Sequence, residues 1–191
     1  MANGNAQSVR KIEGQAAKLS RTMHSISYDE IHDELVVTNP FAGAVLTFAG
    51  GANGEVPPLR VIQGPKTQFD WPTGLAVDED KGELYVANDI GNSILVFNVT
   101  DNGDVAPKRV IQGPRTSLRN PTGIWVDAKN HEVWAANFMN HAATVYSLDA
   151  SGDVAPLRMI RSGPANEPSL GIGNPHPVAY DTKREQILVP N

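Results

Sequence analysis

Residues 114–162, PRTSLRNPTGIWVDAKNHEVWAANFMNHAATVYSLDASGDVAPLRMIRS, decide the fold, because residues 65–113, PKTQFDWPTGLAVDEDKGELYVANDIGNSILVFNVTDNGDVAPKRVIQG, are the same text without a gap. Pro72 meets Pro121, Gly74 meets Gly123, Asp78 meets Asp127, Asn88 meets Asn137 and Arg109 meets Arg158. A period of about fifty residues marks a solenoid or propeller, in which each unit buries its apolar faces only against its neighbours.

Working outward, residues 2–14 superimpose on residues 52–64, which places Arg10 on Arg60 and Ile12 on Ile62. This overrules a helical spacing of Val9, Ile12, Ala16 and Leu19 and makes 1–14 the last strand of a repeat. Each full unit carries four short strand signals separated by turn residues, as expected for a blade of four antiparallel strands. In 114–163 they are Gly123–Asp127, Glu132–Asn137, Thr144–Leu148 and Arg158–Ile160. The second strand is apolar on consecutive residues in every copy, as in Leu84-Tyr85-Val86 and Val133-Trp134-Ala135, so it must be covered on both faces. The expected fold is an all-β β-propeller of four-stranded antiparallel blades, here an arc of about three and a half blades. The blades are 15–64, 65–113 and 114–163, and 164–191 supplies the first two strands of another. The arc needs the rest of the propeller, or a second chain, to close its ring.

Net charge is −5 with both signs interspersed, which disfavours a nucleic-acid partner. Cysteine is absent, excluding disulfides and thiolate metal sites, and no apolar run reaches the length of a membrane span. Residues 1–14 lack the apolar centre of a secretory signal. The compartment stays open, extracytoplasmic if a signal lies upstream.

The pattern PTG(I/L)xVD, E(L/V)(Y/W)xAN and GDVAPxRxI resembles NHL-repeat β-propellers of the bacterial, six-bladed type. The resemblance covers nearly the whole chain and implies about 300 residues for a closed ring. Lactonase and gluconolactonase-like enzymes share that general shape, and RNA binding, known among animal relatives, would need a basic face.

In propellers, the loops leading into the first strand and those joining the second to the third open on one face, around the channel. The resemblance therefore puts His24, Thr73, Thr122 and His176 at the channel mouth, the two histidines facing each other if the ring has six blades. They could hold a ligand or metal, or cap a water-filled channel. Asn39, Asn88, Asn137 and Asn191 end the second strands. In similar lactonases this region coordinates calcium, but a residue repeated in every blade also suits a loop cap. Asp29, Asp78, Asp127 and Asp181 read as turn formers, and Arg10, Arg60, Arg109 and Arg158 as bridges to a neighbouring blade's backbone or acid. The same loops carry Phe41, Phe69, Trp71, Phe138, Met139 and His141, none periodic, either as binding anchors or as local core.

No serine elbow, HExxH motif or phosphate loop is present, and Gly171-Ile172-Gly173-Asn174 is too short for the last. The leading expectation is a non-catalytic binding or scaffold propeller, without cofactor, taking a protein or small-molecule ligand on its loop face. The alternative is a metal-dependent lactonase-like hydrolase or lyase, with calcium or zinc at the channel mouth.

Overall fold

The computed structural model describes residues 4–161, 163, 164, 167 and 173–189. Asn191 and the Gly171-Ile172 pair lie outside them. The described residues form three four-stranded antiparallel sheets and one two-stranded sheet, the arc of a β-propeller. The first sheet contains β1 (Ile26–Asp29), β2 (Glu34–Asn39), β3 (Ala44–Ala49) and β4 (Arg60–Gln63) in that order. The second contains β5 (Pro72–Asp78), β6 (Glu83–Asn88), β7 (Ser93–Asn98) and β8 (Arg109–Gln112). The third contains β9 (Pro121–Asp127), β10 (Glu132–Asn137), β11 (Ala142–Ser147) and β12 (Arg158–Arg161), and β13 (Ala179–Asp181) pairs with β14 (Gln186–Leu188).

Core lies between sheets rather than inside any one of them. Val36, Val45 and Ile62 of the first sheet pack on Leu75, Leu84, Val86, Leu95 and Phe97 of the second. The opposite face of the second sheet, Tyr85, Ala87, Ile94 and Val96, packs on Ile124, Val133, Ala135 and Tyr146 of the third. Successive residues of β6 thus serve alternate interfaces, which is the period-two geometry of a strand covered on both sides. Complete burial of a side chain the size of Phe97 stabilises by about 2–3 kcal/mol.

Polar groups fasten each blade to the next. The loop after the third strand reaches back to the fourth strand of the preceding blade, giving the parallel bridges Ile12↔Gly54, Ile62↔Gly103 and Ile111↔Gly152. Residues 10–13 make the first of these bridges without a third strand of their own, so the offset of 50 between 2–14 and 52–64 has a structural counterpart. The acids beside the second and third bridges, Asp104 and Asp153, accept the Lys66 and Arg115 amides respectively, each at 2.7 Å, and Glu55 beside the first accepts the Ala16 amide at 3.1 Å.

The outer-strand arginines differ in one respect from the sequence expectation. Their acid partner lies in their own blade: Arg60 grips Glu34, Arg109 grips Glu83 and Arg158 grips Glu132. Only the backbone partner is in the next blade, Val99 for Arg60 and Leu148 for Arg109. Arg109 and Lys108 hold the Glu83 carboxyl down to about 2 against its burial. The periodic aspartates are turn formers, Asp29 accepting amides of Ile31 and His32, and Asp127 that of Asn130.

Candidate functional site at the channel mouth

The first strands of successive blades run side by side along a groove of about 600 Å³, lined among others by His24, Ser25, Leu75, Thr122, Trp125 and His176. Two glycines allow the approach. A Cβ on Gly74 would lie 2.8 Å from the Thr122 carbonyl oxygen, and one on Gly123 would lie 2.2 Å from that of His176. Ser25 occupies the corresponding place in the first blade, and its hydroxyl oxygen accepts the Leu75 amide at 3.3 Å.

His24 and His176 are both exposed on the rim of this groove. Thr73 does not join them. It is fully buried, and its hydroxyl donates to the carbonyls of Pro121, at 3.1 Å, and Ala87, at 3.3 Å. Thr122 lines the groove, and its hydroxyl likewise meets the next repeat, at the carbonyls of Pro175 and His176, both at 3.1 Å. The threonines are therefore ties between blades, a role that sequence spacing did not distinguish from a place on the open rim.

On the loop face, the loop leading into each first strand meets the loop after the second. Asp89 and Gly91 amides donate to the Trp71 and Asp70 carbonyls, and Phe138 and Met139 amides to those of Asn120 and Arg119. The second-strand asparagines hold this joint. Asn88 accepts the Asp70 amide at 2.6 Å and donates to the Gln68 carbonyl and the Ser93 hydroxyl, each at 3.0 Å. Asn137 accepts the Arg119 amide, and Asn39 accepts the Ser20 hydroxyl while donating to the Lys18 carbonyl. These amides have local partners, as loop caps do.

The aperiodic side chains separate into two groups and one outlier. Phe69 turns inward, its ring 5.2 Å from that of Phe97, and belongs to the core. Phe41 and Trp71 meet edge to face at 4.9 Å, with the Arg21 guanidinium 5.2 Å from the centre of the Phe41 ring. Phe138 packs on the His176 imidazole at 4.8 Å, His141 Nδ1 donates to the Gly173 carbonyl at 2.7 Å, and Met139 projects into solvent. Arg21 was missed by the sequence reading. The repeat did not set it apart, since Arg119 stands at the same place in the third copy.

A divalent ion fits these residues poorly. Calcium takes six to eight oxygens and zinc usually four donors. No carboxylate lines the groove among the described residues, and the channel-side asparagines are hydrogen-bonded to loops. Elsewhere, Asp29, His32 and Glu34 bring ligand atoms within 4.8 Å of one another. They lie at the β1–β2 turn, where Asp29 is taken by His32 and two amides and Glu34 by Arg60.

Residues 59–157 match the family described as SMP-30/Gluconolactonase/LRE-like region. Similar solved structures include hydrazine synthase of Kuenenia stuttgartiensis, at TM-score 0.65 and 15% identity over 98% of this chain and 45% of that one. A putative 6-phosphogluconolactonase from Bacteroides uniformis gives 0.62 and 13% over 87% of this chain and 46% of that one. The periplasmic gluconolactonase of Pseudomonas aeruginosa gives 0.59 and 17% over 88% and 42%. The chain therefore spans about half the length of these structures. No curated protein matches the sequence.

Proposed function

The chain belongs to the SMP-30/gluconolactonase/LRE-like family, and from that premise we propose that it is the propeller part of a lactonase-like hydrolase working at the channel mouth. The family match and the two gluconolactonase-type neighbours lean toward this reading rather than toward a purely non-catalytic scaffold. The observation that carries the site assignment is the pair of exposed imidazoles, His24 and His176, on the rim of one groove whose lining mixes polar groups such as Ser25 and Thr122 with apolar ones such as Leu75 and Trp125.

A neutral imidazole there can take a proton from water as that water adds to a lactone carbonyl. The ring C–O bond then breaks, and the departing oxygen takes the proton back. Thr122, bonded to the His176 carbonyl, and the loop asparagines fix the leading loops, which sets where the two rims stand. No step is routed through a metal, because the described residues of this chain do not assemble a site for one.

The test is acid release from glucono-δ-lactone by the full chain, followed in a pH-stat against the spontaneous rate, with and without added calcium. Acceleration that falls about tenfold or more in His24→Ala or His176→Ala supports the proposal. A chain that leaves the spontaneous rate unchanged under both conditions refutes it and returns the loop face to the binding reading, which exposed Phe41 and Met139 favour.

A further inference from the structure

We propose that Phe41, Trp71, Arg21 and Lys18 form a subsite for an anionic sugar, the aromatic pair taking the ring and the two cations its acidic substituent. The substrate class rests on the lactonase-like reading, but the subsite itself does not require catalysis.

Three observations converge on this corner of the loop face. Arg21 is exposed and makes no hydrogen bond or ion pair with its side chain among the described residues, yet it is held over the Phe41 ring at 5.2 Å. Its planar fork of donors is thus positioned and unused, the state in which a guanidinium best receives a carboxylate or phosphate. Lys18, also exposed, likewise has no acidic partner among the described residues. Both stand uncompensated in a chain of net charge −5.

Beside Phe41 lies a second groove of about 620 Å³, lined by Lys18, Ser20 and Asn39 among others. That volume suits a small ligand. Phe41 is 49% exposed and props Trp71 edge to face, so the pair offers an apolar surface on which the C–H face of a sugar ring can lie.

Trp71 adds a backbone argument. It sits at φ 63, immediately before Pro72, and its counterpart in the next blade is Asn120 at φ 48. Asparagine tolerates that left-handed conformation, whereas a bulky aromatic is strained in it. Placing tryptophan where the fold accepts asparagine marks the indole as serving something other than the fold.

The test is calorimetric titration of the full chain with glucuronate, glucose 6-phosphate, glucose and inorganic phosphate. Glucuronate or glucose 6-phosphate should bind at least tenfold more tightly than glucose or phosphate alone, and comparing the two anionic sugars tells carboxylate from phosphate recognition. Arg21→Gln should erase the tenfold preference, and Phe41→Ala should weaken every sugar about tenfold, both with an unchanged circular dichroism spectrum. Equal binding of glucose and its anionic derivatives, a preference that survives Arg21→Gln, or no sugar binding at all would each overturn the proposal. Anionic-sugar binding without lactone hydrolysis upholds the subsite and sinks the hydrolase reading, while hydrolysis with no anion preference does the reverse.

Discussion

Arg109 on β8 closes both guanidinium nitrogens on the Glu83 carboxylate of β6, at 2.8 and 2.7 Å, and with one of them also reaches the Leu148 carbonyl of the neighbouring blade at 2.8 Å. The Tyr85 hydroxyl, its acidity suppressed by burial, donates to the same carboxylate at 2.9 Å. One ion pair therefore secures a sheet internally and ties it to the next.

This pair should make stability depend on acid. Arg109 lowers the Glu83 carboxyl from 4.5 to about 2, so the folded state binds its proton less readily than the unfolded chain. The contribution is fully present above the unfolded value and disappears as pH falls through about 2, amounting to about 3 kcal/mol. Urea midpoints measured between pH 6 and pH 2 should fall more steeply in the parent than in Glu83→Gln.

Arg109→Met should cost about 2–3 kcal/mol, less than a fully orphaned buried charge, because Lys108 remains 2.8 Å from Glu83. Equilibrium urea unfolding measures it. A loss below half a kcal/mol would show that Lys108 alone suffices.

Thr73→Val keeps the shape of the side chain but removes the hydroxyl that joins β5 to the Pro121 carbonyl. The expected loss is about 1–2 kcal/mol by urea unfolding, with lactone hydrolysis and sugar binding unchanged. A selective loss of either activity would return Thr73 to the ligand site.

Gly123→Ala should cost about 2–3 kcal/mol, since its Cβ has to displace the backbone at His176 and Pro177. The sharper readout is hydrogen exchange, which should accelerate across 175–181 and remain unchanged across β1.

Most of the architecture could be read from the 49-residue offset, because a strand buried on both faces, such as Leu84-Tyr85-Val86, leaves a continuous apolar run in the text. The asparagine caps were legible for the same reason: a side chain serving a joint common to each blade recurs with the blade. Thr73 and the acid partners of the arginines were not. Glu83 and Arg109 are 26 positions apart and meet only through the register of three strands. Whether a hydroxyl meets water or the Pro121 carbonyl depends on how closely two blades approach, which Gly74 permits but spacing does not reveal. The blade count of the complete ring and the narrower NHL assignment remain expectations of the sequence pattern, whereas the broader lactonase-type propeller family is shown by the match.

The backward-reaching bridges Ile62↔Gly103 and Ile111↔Gly152 make every unit both a donor to its predecessor and an acceptor for its successor. A tandem copy of 49 residues inserted between two blades would arrive with its own hook and find an eye waiting. The gene can thus lengthen by duplication without inventing a new interface, and the radius of the ring, rather than compatibility between neighbours, sets the limit.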